Sequence, residues 1–372
     1  MFHPKKEIFN YNNMTSFNKK IILSGGGTGG SVTPLFQIYR SLKGQYDFLF
    51  VGTYSGIEKA MVAKEGILYR AILSGKWRRY FSVLNFIDVF KIFFAFWQSL
   101  FVLMKEKPKV VISAGGFVAV PLSIAAWILR IPVIVHQQDV IPGLANKIMS
   151  KVAKIITVTF PSALNYYGKK AKLIGNLSPD INLLSFDKKL ILDKYGIENN
   201  DLPLILILGG GTGSLFINKL VASSLSDLST FARIVHICGQ SDRAKVELKT
   251  DIKNYTKLDF VEHQDALALI NFSDLVISRC GLGVLTELAI FKKVAILIPM
   301  PNSHQEYNAL EFEKKQGALV LPEEDLSPIK FISEIKKVLQ DENLRENLSQ
   351  NISTVIKSGN DAMITILQDL LN

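Results

Sequence analysis

Two identical glycine-rich segments are the residues of this chain best suited to chemistry. Gly-Gly-Gly-Thr-Gly occurs at residues 25–29 and again at 209–213, each time after a short apolar run and before a helix-like stretch. That order is typical of the turn between a buried parallel strand and a helix. Such a turn lets backbone N–H groups close on an oxyanion, and the amino end of the helix adds about half a positive charge. The pattern predicts two phosphate-binding turns.

Packing alone is the alternative interpretation, because glycine also lets a strand and a helix approach closely. Two copies a domain length apart favour a binding role. A nicotinamide dinucleotide would require an acidic residue about 20 positions beyond the glycines. The strand predicted at residues 46–51 is followed by Gly-Thr-Tyr-Ser, without an acid. The sequence therefore does not favour NAD.

Length and composition agree with two domains in a reducing compartment. The chain has 372 residues and is 48% hydrophobic, enough for two ordinary cores. Its two cysteines, Cys238 and Cys280, stand in apolar segments and are not spaced like metal ligands, so buried thiols of a cytoplasmic protein are expected. Residues 1–20 are polar and lack the apolar stretch of a signal peptide, which predicts a disordered leader.

The net charge of +10 favours anionic partners. No zinc-finger spacing or RNA-binding aromatic signature accompanies the charge, so nucleic acid is not expected. A phosphorylated substrate or an acidic lipid surface fits better.

An aromatic stretch at residues 84–104 is the candidate membrane element. Polar residues recur near helical spacing within it, which predicts an amphipathic helix too interrupted to span a bilayer. Its large apolar residues are Phe86, Phe90, Phe93, Phe94, Phe96, Trp97, Leu100 and Phe101, and the cations around them are Arg78, Arg79, Lys91, Lys105, Lys107 and Lys109. Some of these large apolar residues must belong to the core. The remainder predicts peripheral contact with an anionic membrane, aided by the Trp-Arg-Arg-Tyr-Phe segment at 77–81.

Strand-like runs alternate with helical patterns in both halves, which predicts an α/β fold. The runs lie at residues 21–24, 48–51, 110–113, 133–136 and 155–159 in the first half, and at 204–208, 234–238, 258–261, 275–278 and 295–299 in the second. Helices are expected at 285–291 and 308–316, and from 341 to the end. Turn residues at 175–180 predict a linker, so we place one domain at 21–178 and the other at 179–355.

Polar residues cluster where predicted strands end, and open α/β sheets bind ligands there. The clusters are Ser-Ala-Gly-Gly-Phe-Val at 113–118, His-Gln-Gln-Asp at 136–139, Ser-Arg-Cys-Gly at 278–281 with Thr-Glu at 286–287, and His-Gln-Glu-Tyr-Asn-Ala at 304–309.

From about residue 21 to 321 these segments resemble the MurG family of inverting glycosyltransferases. The resemblance rests on the motifs at 26–30, 115–117, 136–139, 142–147, 175–176, 209–210, 279–287 and 305–309. It implies the GT-B fold: two Rossmann-like, doubly wound domains facing a cleft, with a final helix at about 356–372 crossing back to the first domain. It also implies transfer of N-acetylglucosamine from UDP-GlcNAc to the muramyl C4 hydroxyl of lipid I, forming lipid II. The enzyme would act as a peripheral protein on the cytoplasmic face of a bacterial membrane.

The resemblance assigns the donor to the second domain and the acceptor pyrophosphate to the first. Glu287 is expected to accept hydrogen bonds from both ribose hydroxyls, and Val261 marks the uracil region. The other donor residues implied are Gly211, Arg279, Leu282, Gly283, Val284, Leu285, Thr286, His304 and Gln305, and those for the acceptor are Thr28, Gly29, Gly30, Gly115 and Gly116. No Asp-x-Asp is present to hold a metal ion, and no metal or cofactor is expected.

The chain departs from the family pattern where a proton must be handled. Ser31 stands where relatives usually carry histidine, and Gln137 and Asp139 stand where they usually carry glutamate and asparagine. We therefore predict that Asp139 is the base or orients the acceptor hydroxyl, with Ser31 as a neutral hydrogen-bond partner. Contact of Asp139 with substrate hydroxyls alone is the alternative.

Two further departures bear on donor affinity. Gly211 replaces a usual serine, and Pro179 stands near a usual arginine. Each substitution removes a hydrogen-bond donor that would face phosphate. The affinity for UDP-GlcNAc is therefore expected to fall unless Thr212, Ser214 or Arg279 compensates. The alternatives to the leading function are a GT-B transferase for another lipid acceptor and a catalytically silent scaffold that binds nucleotide sugar.

Overall fold

The first half of the molecule is a seven-stranded parallel sheet covered by helices. The computed structural model describes residues 19–75, 83–180, 184–247 and 251–371. The strands are β1 (Lys20–Ser24), β2 (Asp47–Thr53), β3 (Leu68–Ile72), β4 (Val110–Ser113), β5 (Val133–Gln137), β6 (Ile155–Val158) and β7 (Ala171–Leu173), in the order β3-β2-β1-β4-β5-β6-β7. The helices are α1 (Thr33–Leu42), α2 (Ile57–Lys64), α3 (Val83–Glu106), α4 (Ala119–Ile128) and α5 (Leu144–Val152). The order reverses beside β1, so the sheet is doubly wound.

The second half repeats this plan with six parallel strands in the order β10-β9-β8-β11-β12-β13. Its strands are β8 (Leu204–Leu208), β9 (Arg233–Ile237), β10 (Tyr255–Leu258), β11 (Leu275–Ser278), β12 (Ala295–Leu297) and β13 (Leu319–Val320). Its helices are α6 (Lys188–Tyr195), α7 (Leu215–Leu228), α8 (His263–Phe272), α9 (Leu282–Ile290), α10 (His304–Lys314), α11 (Pro328–Gln340) and α12 (Glu342–Val355), and the chain ends in α13 (Asn360–Leu371). The predicted α/β class and GT-B architecture are confirmed.

The central strands of the two sheets, β1 and β8, are apolar on both faces, because each lies between two layers of helices. In β1, Ile21 and Leu23 pack with α1, whereas Ile22 faces α3 and α4. In β8, Leu204 and Leu206 pack on one side, while Ile205 and Ile207 face α7 and α11.

The final helix packs on the first half of the molecule, although it follows the second half in sequence. Met363 and Leu367 of α13 are buried beside Leu35 of α1 and Ile21 of β1. The residues between α12 and α13 run beside the segment predicted as a linker, where the N–H of Asn176 donates to Lys357 O at 3.0 Å. That segment is therefore clamped in place: Asn176 and Ser178 are both buried.

Several predicted boundaries were wrong. The apolar run at 258–261 is not a strand, because β10 ends at Leu258 and Val261 packs in the core beyond it. Helices α9 and α10 begin three and four residues earlier than expected, and the helix expected after 341 is interrupted at 356–359. The first strand begins at Lys20, within the predicted leader, whose residues 1–18 lie outside the described part of the chain. The predicted limits of the two domains stay a prediction.

Helix α3 divides its apolar residues between the core and the surface. Ala95 and Leu103 are buried, and Phe96 and Leu100 are partly buried against the same core. The aromatic residues exposed by more than half are Phe90, Phe93, Phe94, Trp97 and Phe101, to which α4 adds Trp127. No helix in the described ranges is long and apolar enough to cross a bilayer. Residues 77–81 and the side chain of Phe86 are outside those ranges.

Candidate active site

Both glycine-rich turns face one cavity between the two halves, with a volume of about 1150 Å³. The predicted site residues that line it are Thr28, Gly30, Ser31, Gly115, Gly116, Asp139, Gly211, Arg279, Leu282, Gly283, Val284, His304 and Gln305. Gly29, Val261, Leu285, Thr286 and Glu287 are not in its wall. Leu285 and Thr286 are instead buried in the core, so their side chains face away from the cavity.

The turn after β1 is held together by the Ser31 hydroxyl. Ser31 Oγ accepts from the N–H of Gly26 at 3.1 Å and lies within hydrogen-bond distance of the carbonyl oxygens of Gly26 and Thr28. The turn after β4 packs directly against the turn after β1. Gly116 of the second turn has φ +94°, and a side chain there would collide with the backbone of Gly26. Two glycine turns thus form one continuous wall of backbone amides, and Ser31 serves the turn itself.

Arg279 is largely occupied by protein groups. Its side chain is buried, donates to the carbonyl oxygens of Ile298 and Pro299 at 3.2 and 3.1 Å and to Ser214 Oγ at 2.7 Å, and forms an ion pair with Glu323. Arg279 and Ser214 therefore hold each other, which weakens the prediction that either compensates for a missing phosphate ligand.

Two cations missed by the sequence reasoning stand in the same wall. Lys219 lies one turn into α7, and Arg243 follows β9; both are exposed and line the cavity beside the turn at 209–213. Neither has an ion pair among the described residues. The signal that could have found them is position, since each comes shortly after a strand of the second sheet.

Asp139 follows β5 and is held by the opposite half of the molecule. Its Oδ1 accepts from Asn308 Nδ2 at 2.9 Å, and Asn308 Oδ1 in turn accepts from the N–H of Val140 at 3.1 Å. Asn308 is fully buried, and His304 Nε2 lies 4.0 Å from the carboxylate. Since only one carboxylate oxygen is bonded to the described part of the protein, the other is available to a hydroxyl in the cavity.

His136 points away from the cavity, unlike the other members of its cluster. It is fully buried between Thr157 Oγ1 at 3.0 Å and Asn176 Oδ1 at 2.9 Å, and Asn176 Nδ2 donates to Thr286 Oγ1. The amide orientation makes Nε2 the protonated nitrogen of a neutral ring. Burial lowers the pKa of His136 to about 4, and burial chiefly does the same for His236.

The buried imidazoles make stability fall in acid. Between about pH 6.5, the usual pKa of histidine, and about pH 4, these two histidines bind protons in the unfolded chain but stay neutral in the native state. At pH 5 each ring is expected to reduce the free energy of unfolding by about 2 kcal/mol relative to pH 7. In a His136→Gln variant, urea unfolding at the two pH values should show a difference smaller by about that amount. An unchanged difference would contradict this assignment.

Glu287 lies on α9, one turn beyond Gly283 and on the same helix face. It is mostly buried, and its Oε1 lies 2.9 Å from His263 Nε2. The hydrogen bond to Glu287 raises the pKa of His263. The rim beside this pair carries an ion pair between the two halves, Lys64 with Glu262 at 3.4 Å. Glu287 is thus an oriented carboxylate one helical turn beyond Gly283 of the cavity wall, and its contact with ribose stays a prediction.

No group of three or more His, Cys, Asp or Glu side chains suited to a metal ion occurs in the described part of the chain.

Family models match most of the chain. Residues 21–158 match the glycosyltransferase family 28 N-terminal domain, and residues 204–363 match the glycosyltransferase family 28 C-terminal domain.

Named relatives are similar over nearly the whole length. The UDP-N-acetylglucosamine–N-acetylmuramyl-(pentapeptide) pyrophosphoryl-undecaprenol N-acetylglucosamine transferase of Clostridium kluyveri is 40% identical over 326 residues, covering 86% of this chain and 91% of that protein. The protein of the same name from Clostridium botulinum (strain Hall) is 38% identical over 354 residues, covering 91% and 99%.

Solved structures share the fold. MurG of Acinetobacter baumannii has a TM-score of 0.72 at 23% identity, covering 94% of this chain and 99% of that chain. A UDP-GlcNAc 2-epimerase from Neisseria meningitidis bound to UDP-GlcNAc has a TM-score of 0.68 at 13% identity, covering 95% and 100%. Since a transferase and an epimerase share this architecture, the fold alone does not choose the reaction.

Proposed function

This chain belongs to the MurG family within glycosyltransferase family 28, and from that premise we propose how it works as a transferase. It moves N-acetylglucosamine from UDP-GlcNAc to the muramyl C4 hydroxyl of lipid I, forming lipid II. The observation that carries the proposal is the single cavity whose walls hold both glycine turns, one from each half. One cavity with two separate phosphate-binding walls suits a reaction between two diphosphates.

The donor diphosphate is assigned to the wall formed by residues 209–214. There the backbone amides before α7 are joined by Lys219 and Arg243, which line the cavity and form no ion pair with the carboxylates that the structure describes. Gly210 and Gly211 have open space where a side chain would stand, so phosphate can approach the backbone. These groups supply the positive potential that the departing UDP requires.

The acceptor pyrophosphate is assigned to the opposite wall, at residues 28–31 and 115–116. Gln138 supports both turns, because its Nε2 donates to the carbonyl oxygens of Gly30 at 2.9 Å and Ala114 at 3.2 Å. On this assignment the acceptor lies across the cavity from the donor.

The reaction is a direct displacement that inverts the sugar from α to β. The acceptor C4 oxygen forms a bond to the anomeric carbon while the bond from that carbon to the UDP oxygen breaks. Asp139 takes the hydroxyl proton on its free carboxylate oxygen, and the leaving oxygen keeps the electron pair as UDP. Asn308 holds the other carboxylate oxygen, which fixes the direction of the base.

The exposed aromatic residues of α3 and α4 are assigned to the membrane surface. Lys105, Lys107 and Lys109 follow the aromatic face, and each cation close to anionic lipid is worth about 1 kcal/mol. The enzyme thus acts as a peripheral protein at the cytoplasmic face of the membrane, where a lipid-linked acceptor is available. Nucleic acid has no part in the proposal.

A Phe93→Ser/Trp97→Ser/Phe101→Ser variant is expected to bind anionic vesicles at least tenfold more weakly, because it loses the apolar groups that would enter the interface. Vesicle co-sedimentation measures the change. Since all three side chains are more than half exposed, folding should be little affected. Ile329→Ser, which removes an exposed apolar group from α11, is the matched control. Equal binding by the triple variant and the control would contradict the assignment.

Transfer of labelled GlcNAc to a short-chain lipid I analogue tests the function itself. Product with a β linkage is expected. Transfer only to another lipid, or tight UDP binding without turnover, would replace the proposal with one of the two alternative functions.

A further inference from the structure

One buried polar atom in the cavity wall has no partner. Asn146, on α5, is 7% exposed, and its Oδ1 has no hydrogen-bond partner among the described residues. An unpaired buried acceptor costs about 1 to 3 kcal/mol. Asn146 lines the cavity, so a bound molecule can supply the missing donor.

The neighbouring amide fixes which atom of Asn146 faces outward. Gln137 Nε2 donates to the carbonyl oxygen of Asp139 at 2.6 Å, so Gln137 Oε1 must be the acceptor on its other side. That oxygen receives Tyr167 Oη–H at 2.9 Å and Asn146 Nδ2–H at 2.7 Å. Turning either amide over would set donor against donor or acceptor against acceptor. Asn146 must therefore present its oxygen, and the ligand must present an N–H or O–H.

The position of Asn146 Oδ1 indicates which chemical group of the ligand would donate to it. A side-chain atom added at Gly115 would lie 3.3 Å from Asn146 Oδ1, so the oxygen is beside the turn assigned to the acceptor pyrophosphate. In a sugar whose C1 carries pyrophosphate, the adjacent ring substituent is the one at C2. In a muramyl residue that substituent is an acetamido group, whose N–H is a donor.

We propose that Asn146 Oδ1 accepts a hydrogen bond from the C2 acetamido N–H of the acceptor sugar, and so selects 2-acetamido sugars as acceptors. This inference rests on the proposed function. The pyrophosphate and the C2 N–H hold one side of the ring, which leaves the C4 hydroxyl on the far side, toward the donor. Asn146 is a binding and specificity residue and takes no proton.

The test pairs two acceptors with three enzymes. One acceptor is the short-chain lipid I analogue; the other carries an O-acetyl group at C2, an isostere in which an ester oxygen replaces the N–H. In the wild type, kcat/KM should fall roughly 5- to 150-fold for the O-acetyl acceptor. In Asn146→Leu the two acceptors should differ by less than threefold. Tyr167→Phe, which loses a bond to the same Gln137 oxygen but leaves Asn146 in place, should keep the wild-type preference.

Each outcome bears on one claim. If the wild type transfers to neither acceptor, the proposed function fails. If it transfers equally well to both, or if Asn146→Leu keeps the full preference, this inference is overturned while the function stands. Should the leucine variant fail to fold, as judged by urea unfolding, Asn146→Ser takes its place, and the wild-type comparison needs no variant.

Discussion

A Glu287→Gln enzyme is expected to lose about 100-fold in kcat/KM for UDP-GlcNAc, with most of the loss in the KM for the donor. A carboxylate that accepts from two ribose hydroxyls makes two charge-assisted hydrogen bonds, each worth about 1.5 to 3 kcal/mol. An amide keeps one acceptor oxygen and turns an NH₂ group toward the other hydroxyl. Glu287 already lies one helical turn beyond Gly283 of the cavity wall, with its Oε1 2.9 Å from His263 Nε2. Steady-state kinetics and calorimetry with UDP measure the change.

Glu313→Gln is the matched control, because it makes the same substitution at an exposed position of α10 away from the cavity. It should leave the donor KM within about twofold, as surface changes away from a site usually do. A Glu287→Gln enzyme with the donor KM of the wild type would exclude the ribose assignment. The pair with His263 would then be a purely structural contact.

An Asp139→Asn enzyme is expected to lose a factor of about 10² to 10⁴ in kcat, the usual contribution of a positioned general base. Asparagine preserves the shape and still accepts from Asn308 Nδ2, so the bridge between the halves stays intact. Single-turnover measurement with saturating acceptor separates this chemical step from binding.

Two variants decide what Asp139 contributes. His304→Gln removes the ring whose Nε2 lies 4.0 Å from the carboxylate, and it should keep most of the wild-type kcat if Asp139 is the base. Asp139→Ala also breaks the contact with Asn308, so it should lower stability as well as kcat. Full turnover by Asp139→Asn would mean that the residue only contacts hydroxyls.

Local patterns predicted the features that local physics determines. The runs at 204–208 and 275–278 are strands with those limits, because a central parallel strand is apolar at every position. The same reliance on apolar runs made the prediction for edge strand β10 wrong, because an edge strand is not apolar at every position. Its sequence Tyr-Thr-Lys-Leu is only partly buried, and the more apolar stretch after it was taken for the strand. The cleft between the two halves was implied by the resemblance to the MurG family, and both glycine turns that the sequence singled out line the cavity in it.

Contacts between distant residues could not be predicted from those patterns. Asp139 and Asn308 are 169 positions apart, and each belongs to a motif that makes sense without the other. The sequence suggested that Arg279 could bind phosphate. Its hydrogen bonds to carbonyl oxygens and its ion pair with Glu323 involve residues distant in sequence, which the local motif does not show. Asn146 stood inside a quoted motif without a role, because only the orientation of Gln137 shows that its oxygen lacks a partner.

The return of α13 to the first sheet has a consequence for synthesis on the ribosome. Met363, Ile366 and Leu367 complete an apolar core whose other members are mostly translated before residue 135. The first half of the protein therefore leaves the exit tunnel with an uncovered apolar face, and it cannot close that face until α13 has been synthesised. A stop codon just before Asn360 would spare every residue of the cavity wall, yet it would leave the nascent chain open to chaperones and proteases.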